Sequence, residues 1–300
     1  MEERIQWLEA RRSGIGSSDA PALLGVCPWQ TALDVYHTKV DTSVPVDRMS
    51  NAMEWGHRLE PVVAGKAIDS HGWTLGKPGL LRHSDYPFLL ATPDRVNQFG
   101  EVVEIKTTGS RDGWGEPETD EIPMNVWVQV QHQLAVASSI DERVELAWVC
   151  VLIGGSDYRR YRVPRNPVYL ETALPAYRDF WQAVESRTPP PPQWDHSNVV
   201  GSLKSLRPED GKDAVELGDK AITLADLYAS LGAEASGIRD EREAIQAKLI
   251  ELLGTASVGL LPDGRRITRR EVTRKAYHVE ETTYVDFRIS RAAKDRIHDN

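Results

Sequence analysis

The chain has 300 residues, 40% of them hydrophobic, and a formal net charge of −9 at pH 7. This composition supports one substantial core with a smaller appendage, and the acidic charge argues mildly against a nucleic-acid partner, because phosphate contacts need Lys and Arg. No run of about 18 apolar residues is present, so the sequence excludes a membrane-spanning helix.

The opening residues and the two cysteines are typical of a cytoplasmic protein. Residues 1–4 are charged and lead into an amphipathic pattern, which differs from a signal peptide. Cys27 and Cys150 are far apart and match no metal-ligand spacing. We therefore expect both to be reduced, buried thiols.

Residues 1–188 are predicted to form one mixed α/β domain. The polar residues 17–19 precede an apolar segment that begins at Ala20, and their side chains are candidate caps of a helix. A second helix is predicted over residues 52–70. Its apolar side consists of Trp55, Leu59, Val62, Val63 and Ala67.

Three consecutive strands are predicted next, over residues 80–82, 88–92 and 102–106. The turn residues 97–100 separate the last two strands, so an antiparallel hairpin is expected. The domain then closes with a helix, a long apolar strand and a further helix, over residues 126–137, 144–153 and 170–184.

Four consecutive prolines at residues 189–192 mark the clearest boundary in the sequence, because a proline run is stiff and extended. We expect residues 189–220 to be a Pro-rich linker with a polar connection, and residues 221–300 to form a long helix plus a basic β unit. The helix can pack on the main domain or pair with another chain. Its apolar seam consists of Leu224, Leu227, Leu231, Ala235, Ile238, Ile245, Leu249 and Leu252.

Charge is unevenly distributed along the chain. Asp and Glu crowd residues 101–121. Six cations stand close together near the other end: Arg265, Arg266, Arg269, Arg270, Arg274 and Lys275. Such segregation suits an enzyme that holds cations in one place and phosphates in another, and an exposed, solvated basic hairpin is the alternative.

Two carboxylates and a lysine carry the candidate chemistry. If residues 88–106 form a hairpin, Asp94 ends one strand, while Glu104 and Lys106 share one face of the next, because strand side chains alternate. The two carboxylates and a backbone carbonyl would converge on one hard cation, such as magnesium. The lysine would orient the attacking water while the metal neutralises charge on the phosphate. An ordinary surface strand pair is the competing interpretation.

Four segments occur in the order of the motifs of a known family. Residues 7–19 match W-x-x-x-R followed by G-[IV]-[GT]-x-S-[DE], residues 53–60 match a W-G-x-x-x-E helix, and residues 129–134 match a glutamine helix. Residues 93–94 and 104–106 are the metal motif between them. The sequence therefore resembles the PD-(D/E)xK nucleases, and more narrowly the YqaJ-like viral recombinase family, to which lambda exonuclease is related.

The resemblance covers most of the chain and implies a fold of the α/β (α+β) class. The expected architecture is a PD-(D/E)xK restriction-endonuclease-like core, with a central mixed sheet flanked by helices. A C-terminal helical and β-hairpin extension would follow the exonuclease domain of residues 1–188.

The resemblance also implies roles for the residues of the metal motif. Metal binding falls to Asp94, Glu104 and the Ile105 carbonyl. Lys106 would activate water, and Glu60 would complete the metal shell or bridge to its waters. A glutamate on an exposed helix face is the plainer interpretation of Glu60.

Three further positions match family residues outside the metal motif. Gln129 would steady the lysine or a scissile phosphate, against the alternative of a polar helix face. Arg11 and Ser18 match residues that hold a terminal 5′-phosphate, with simple surface charge as the alternative. His57 precedes Glu60 by one helical turn in the W-G-x-x-x-E motif and is a competing candidate for metal binding.

The function that the resemblance implies is a metal-dependent DNA exonuclease. It would act 5′ to 3′ on linear double-stranded DNA ends and generate single strands for phage-type recombination, with Mg²⁺ as cofactor and Mn²⁺ as a substitute. A single-strand annealing protein is the implied partner, a homo-oligomer such as a trimer follows by family analogy, and the location is the cytoplasm of a bacterial or phage-infected cell. A PD-(D/E)xK endonuclease of restriction or repair type and a non-enzymatic DNA-binding recombination module stay open as alternatives.

Overall fold

A computed structural model describes residues 9–41, 50–206 and 215–273. The chain divides into two compact units, Met1–Arg207 and Pro208–Asn300. Trp7 of the N-terminal motif and Arg274 and Lys275 of the basic segment lie outside the described residues.

The first unit begins with a helical segment at residues 9–12. Its further helices are α1 (Ala20–Leu23), α2 (Ala32–Val40), α3 (Asn51–His71), α4 (Met124–Ser138), α5 (Tyr169–Glu185) and α6 (Val199–Leu206). Its strands are β1 (Leu75–Gly76), β2 (Leu81–Arg82), β3 (Leu90–Ala91), β4 (Arg95–Asn97), β5 (Val102–Thr108), β6 (Leu146–Ile153) and β7 (Asp157–Pro164).

Five of these strands form one sheet in the order β1, β4, β5, β6, β7. Strands β5 and β6 run parallel, whereas the other neighbouring pairs are antiparallel, so the sheet is mixed. Helix α3 packs on one face of the sheet and α4 packs on the other. The predicted fold class, a central mixed sheet flanked by helices, is confirmed.

The predicted hairpin was wrong in its first strand. Strand β3 pairs with β2 in a separate two-stranded sheet, and the partner of β5 is β4. Pro93 explains the interruption after β3, because proline lacks the amide hydrogen that a ladder position needs. The expected turn at residues 97–100 is present, and Gly100 there has a φ of 81°, which favours glycine.

The first four residues of β5 are buried, and successive side chains of the strand point alternately to the two helices. Val103 and Ile105 pack in the apolar cluster that contains α3. Val102 packs in the cluster that contains α4, and Glu104 hydrogen-bonds to side chains of α4. Because strand side chains alternate, Lys106 follows Glu104 to the α4 face. This alternation agrees with the sequence-based expectation.

Helix α3 is one residue longer at each end than predicted, and its buried side is narrower. The buried residues are Val63, Ala64 and Ala67, while Trp55 and Val62 are 61% and 60% exposed. The predicted apolar side was therefore wrong for Trp55 and Val62. The helix packs against the sheet through the small side chains of these three buried residues.

The segment after the proline run is hydrogen-bonded to α2 of the same unit. Gln193 Oε1 accepts a hydrogen bond from the backbone N–H of Ala32 at 3.0 Å. Ser202 Oγ donates to the carboxylate of Asp34 at 2.7 Å. Residues 189–206 of the predicted linker, which spans residues 189–220, therefore belong to the first unit, and the domain boundaries stay a prediction.

The described part of the second unit, residues 215–273, contains a long helix and a hairpin. Helix α7 (Asp219–Leu253) has 35 residues, none of them buried. Strands β8 (Val258–Leu260) and β9 (Arg266–Thr268) form an antiparallel pair. The predicted C-terminal helix and β-hairpin are both present. None of the helices in the described part of the chain is long and apolar enough to cross a membrane.

Candidate active site

Asp94 lies where β3 gives way to β4, directly after Pro93. Its Oδ2 accepts a hydrogen bond from the backbone N–H of Ile105 at 2.8 Å. The register of β4 on β5 begins with Arg95 opposite Val103, so Ile105 lies beyond the end of this ladder, and the carboxylate replaces the next strand neighbour. The N–H and C=O of one strand residue point to the same side, so the Ile105 carbonyl faces the same edge of the sheet as Asp94.

Glu104 is the buried centre of the site, with 2% of its surface exposed. Its Oε1 accepts hydrogen bonds from Lys106 Nζ at 2.5 Å and from Gln129 Nε2 at 2.6 Å. Its Oε2 accepts a hydrogen bond from Gln133 Nε2 at 2.7 Å. A buried carboxylate is costly unless such donors surround it, and here three of them do.

Gln129 connects the acid to the lysine. Its Oε1 accepts a hydrogen bond from Lys106 Nζ at 2.9 Å, while its Nε2 donates to Glu104. Because both ends of the amide are engaged, only one orientation satisfies both neighbours. The Lys106 side chain is hydrogen-bonded to Glu104 and Gln129 and is 27% exposed, so its ammonium group is fixed in place and still reaches solvent. We call Asp94, Glu104, Lys106 and Gln129 the sheet-edge cluster.

Carboxyl groups outnumber the single ammonium group in the sheet-edge cluster. Burial and the neighbouring Glu104 carboxylate raise the pKa of Asp94 to about 8. Burial opposes the charged form of Lys106, but the carboxylates of Glu104 and Asp94 outweigh it and raise the pKa of the ammonium group. Two carboxyl groups thus share one ammonium group, and Asp94 retains a proton at neutral pH until a further cation binds to its carboxylate. Oxygen ligands with this charge suit a hard divalent cation.

Glu60 lies on α3 at the border of the sheet-edge cluster. Its Oε1 accepts a hydrogen bond from Arg95 Nη1 at 2.5 Å, and the same nitrogen donates to the backbone carbonyl of Asp94 at 2.5 Å. His57 is exposed on α3. No group of three or more His, Cys, Asp or Glu side chains within the described ranges could hold a metal ion by itself. The acidic core is the pair of Asp94 and Glu104, and metal roles for Glu60 and His57 stay predictions.

Arg11 and Ser18, which the motif assigns to phosphate binding, are in direct contact. Arg11 Nη2 donates a hydrogen bond to Ser18 Oγ at 2.7 Å. The same nitrogen lies 3.6 Å from Asp19 Oδ1. The structure therefore brings these two predicted residues together, beside a carboxylate.

Asp19 is a second buried carboxylate, and its neighbours are cationic. Its Oδ2 accepts hydrogen bonds from Lys39 Nζ at 2.6 Å and from the Gly16 N–H at 2.9 Å. The Lys39 side chain is 3% exposed and also donates to the Arg11 carbonyl at 2.8 Å. Burial would raise the pKa of Asp19, but Lys39 and Arg11 outweigh it and hold the pKa below its usual value. We call Arg11, Ser18, Asp19 and Lys39 the N-terminal cluster.

The expected capping role of residues 17–19 was wrong for Asp19. Asp19 is the N-cap residue of α1, but its side chain makes no capping hydrogen bond, since it turns back to Gly16 and the two cations. Helix α1 has four residues, so its dipole contributes little to this region.

No role was predicted from the sequence for three residues that belong to these clusters or contact them: Lys39, Arg95 and Gln133. Gln133 lies four residues after Gln129 on α4, and helical spacing alone could have placed both on one face. Lys39 gives no comparable signal, because its contact with Asp19 joins residues 20 positions apart on different helices. Arg95 is the neighbour of a motif residue, and its pairing depends on where α3 lies.

Residues 6–139 match the family model of the YqaJ-like viral recombinase domain. A relative, the protein YqaJ of Bacillus subtilis (strain 168), is 36% identical over 182 residues, which cover 59% of this chain. This chain spans 55% of the length of that relative. The matched family region contains both clusters, and the resemblance to this family is confirmed.

Two solved structures align with part of this chain. An alkaline exonuclease from Laribacter hongkongensis is 16% identical, with a TM-score of 0.49, and the match covers 61% of this chain and 94% of that one. A phage related exonuclease from Haemophilus somnus 129PT is 10% identical, with a TM-score of 0.39, and covers 52% and 82% of the two chains. Similarity at this level says nothing about individual side chains.

Proposed function

We propose, from the premise that residues 6–139 match the YqaJ-like viral recombinase domain, that this protein is a metal-dependent DNA exonuclease of the PD-(D/E)xK class. It degrades linear double-stranded DNA from its ends, 5′ to 3′, and leaves single strands for phage-type recombination. The observation that carries this proposal is the meeting of the half-buried carboxylate of Asp94 and the buried carboxylate of Glu104 with the ammonium group of Lys106 at one edge of the sheet.

Magnesium is the proposed cofactor, with manganese as a substitute. Asp94, Glu104 and the Ile105 carbonyl would hold the ion, and Glu60 would support the shell around it. The raised pKa of Asp94 supports this fit, because it indicates a site with too little positive charge for two carboxylates. When bound, such an ion supplies Lewis acidity that neutralises charge building on the phosphate and activates water.

Lys106 acts on the attacking water as a cation. Its pKa is raised, so at neutral pH it donates hydrogen bonds and does not remove a proton. Its charge favours the hydroxide-like form of the water and the developing charge on the phosphate. Gln129 holds the ammonium group in place, so little reorganisation is needed during the reaction.

Arg11 and Ser18 bind the terminal 5′-phosphate in this proposal. A terminal phosphate carries more charge than an internal phosphodiester, and a guanidinium can grip two of its oxygens at once. Lys39 supports this role in two ways, because it neutralises Asp19 and binds the Arg11 carbonyl. Lys39 thereby offsets the negative charge of the carboxylate that lies beside Arg11.

The proposed setting is the cytoplasm of a bacterial or phage-infected cell. Duplex DNA ends are the substrate, and a single-strand annealing protein would take the strand that remains. A homo-oligomer, with a trimer by analogy with lambda exonuclease, is the proposed assembly, and it rests on analogy of fold.

Digestion of matched linear and covalently closed circular duplexes in Mg²⁺ tests this proposal. We expect the linear DNA to disappear and the circle to stay intact. Nicked circles would identify an endonuclease instead, and no change in either substrate would identify a DNA-binding module. Glu104→Gln is the matched control, because it keeps the size of the side chain and removes its charge.

A further inference from the structure

Gln133 is a buried glutamine that is hydrogen-bonded to Glu104 through its amide nitrogen. It is 0% exposed on α4, and its Nε2 donates to Glu104 Oε2 at 2.7 Å. Its own Oε1 has no hydrogen-bond partner among the residues that the structure describes. A buried amide oxygen without a partner destabilises a fold, so stability does not explain a glutamine at this position. Local rules of this kind are broken chiefly at functional sites.

The hydrogen bonds around Glu104 leave one acceptor position open to a cation. An ionised carboxylate offers about four lone-pair positions, two on each oxygen. Both positions on Oε1 are used, by Lys106 and Gln129. One position on Oε2 is used by Gln133. The remaining lone pair of Oε2 is therefore the one that can face a metal ion.

The amide of Gln133 has a single favourable orientation. A rotation by half a turn would place its Oε1 against the Glu104 carboxylate, and two acceptors at hydrogen-bond distance repel each other. The N–H must therefore face Oε2. Gln133 contacts Oε2, whereas Lys106 and Gln129 contact Oε1, so both oxygens of the carboxylate are held by donors.

We propose that Gln133 is a positioning residue for metal binding. Its N–H occupies one lone pair of Glu104 Oε2 and thereby directs the other toward the cation. The inference rests on the proposed metal-dependent nuclease, and it concerns a residue to which the sequence motif gave no role.

Gln131 is a matched control on the same helix. It is 1% exposed, its Nε2 donates to the Pro164 carbonyl at 2.8 Å, and its Oε1 accepts from the Asn166 N–H at 2.8 Å. Both hydrogen bonds go to backbone groups and neither goes to Glu104. Methionine is similar in size to glutamine, and both glutamines are buried, so replacing either of them by methionine should disturb packing to a comparable extent.

Binding of Mn²⁺, measured by isothermal titration calorimetry, is the primary test, with turnover of a 5′-phosphorylated linear duplex measured in parallel. We expect Gln133→Met to weaken Mn²⁺ binding by about 10- to 100-fold, as the loss of a partner of a metal ligand does, and to lower kcat more than it changes KM. Gln131→Met should keep Mn²⁺ affinity and kcat within about twofold of wild type, even where its thermal midpoint falls.

A double substitution separates positioning from packing. If Gln133 acts through the Glu104 carboxylate, adding Gln133→Met to Glu104→Gln should change the remaining Mn²⁺ affinity by less than about twofold. Wild-type affinity in Gln133→Met, equal losses in Gln133→Met and Gln131→Met, or additive effects in the double variant would overturn the inference.

Two outcomes outside this comparison are also decisive. If Gln133→Met does not fold, Gln133→Asn takes its place, because its amide is one methylene too short to reach Glu104, and the same results support or overturn the inference. A wild-type protein that neither binds Mn²⁺ nor cleaves DNA would overturn the proposed function. A wild type that does both, beside an unaffected Gln133 variant, would overturn only the positioning role.

Discussion

The sheet-edge cluster and the N-terminal cluster each contain a buried carboxylate, and the charges around these two carboxylates are opposite. Glu104, in the sheet-edge cluster, shares one lysine with a second carboxylate, Asp94. Asp19, in the N-terminal cluster, contacts two cations, Arg11 and Lys39. The pKa of Asp94 is accordingly raised to about 8, whereas that of Asp19 is lowered.

The difference teaches that local charge and not the total decides what such a chain can bind. A net charge of −9 argues against a nucleic-acid partner, yet it is spread over 300 residues. Acidic excess is concentrated where a cation would be needed, and cationic excess where a phosphate would be. The two clusters thus have the complementary charges that a metal-dependent enzyme with an end-recognition site requires.

Removal of divalent metal should have the largest effect, because it leaves the sheet-edge cluster with two carboxylates and one ammonium group. We expect excess chelator to abolish digestion of linear duplex, and Mg²⁺ or Mn²⁺ to restore it. Calcium should bind without supporting turnover, because its looser geometry positions water poorly. Full activity in excess chelator would contradict the metal assignment.

Lys106→Ala should have the next largest effect. Loss of a donor that stabilises developing charge lowers kcat by about 10²- to 10³-fold. Binding of Mn²⁺ and of DNA should largely persist, since the proposed role of this lysine belongs to the transition state. Single-turnover cleavage and calorimetry check the two halves of this expectation. A near wild-type rate would make the lysine an ordinary strand residue.

Arg11→Ala tests the N-terminal cluster without touching the metal site. A charge-assisted contact contributes about 1.5–3 kcal/mol, so wild-type protein should digest 5′-phosphorylated duplex about tenfold or more faster than 5′-hydroxyl duplex. Arg11→Ala should erase this preference. Arg143→Ala is the control, because Arg143 is 89% exposed and pairs with Asp141 elsewhere on the surface. Equal wild-type rates on the two ends would remove Arg11 and Ser18 from the site.

Asp94 and Asp19 should also give opposite dependences of stability on pH. The folded pKa of Asp94 lies above its ordinary value of 3.8, so the metal-free protein should lose stability as pH rises from about 4 to about 8. The folded pKa of Asp19 lies below 3.8, so its contribution is lost as pH falls below about 4. Urea unfolding at a series of pH values checks this. Asp94→Asn should remove the first slope and leave the second, and a slope that persists in Asp94→Asn would refute this origin.

The smallest effect is expected in the second unit. If the basic segment touches DNA, the double substitution Arg269→Gln with Arg270→Gln should flatten the dependence of log affinity on log salt by about one unit per lost phosphate contact. Arg265→Gln is the control, because Arg265 already pairs with Asp263 at 2.6 Å. An unchanged slope in the double variant would mean that the segment is solvated and does not contact DNA.

Local spacing predicted those features that depend on a few neighbouring residues. The alternation of β5 placed Glu104 and Lys106 on one face, because the period of a strand is fixed by its backbone. Burial of Cys27 and Cys150 as free thiols also followed from composition and spacing, and it is confirmed.

Features that depend on distant contacts could not be predicted in this way. Lys39 meets Asp19 because α2 packs beside the start of α1, which no spacing rule describes. The exposure of Trp55 depends on which strip of α3 meets the sheet. Pro93 indicates from the sequence that β3 ends before Asp94. The apolar pattern of residues 88–92 instead suggested that this strand pairs with β5.

The central claim is that the sheet-edge cluster is the centre of a metal-dependent nuclease. The rate of DNA hydrolysis, compared between wild type and a variant of this cluster, tests the claim most directly. Hydrolysis of a 5′-phosphorylated linear duplex in saturating Mg²⁺ is measured for wild type and for Glu104→Gln, with the thermal midpoint of both proteins recorded. We predict rapid digestion by wild type and a loss of at least about 10²-fold in a folded Glu104→Gln protein. Equal digestion by the two folded proteins would contradict the claim.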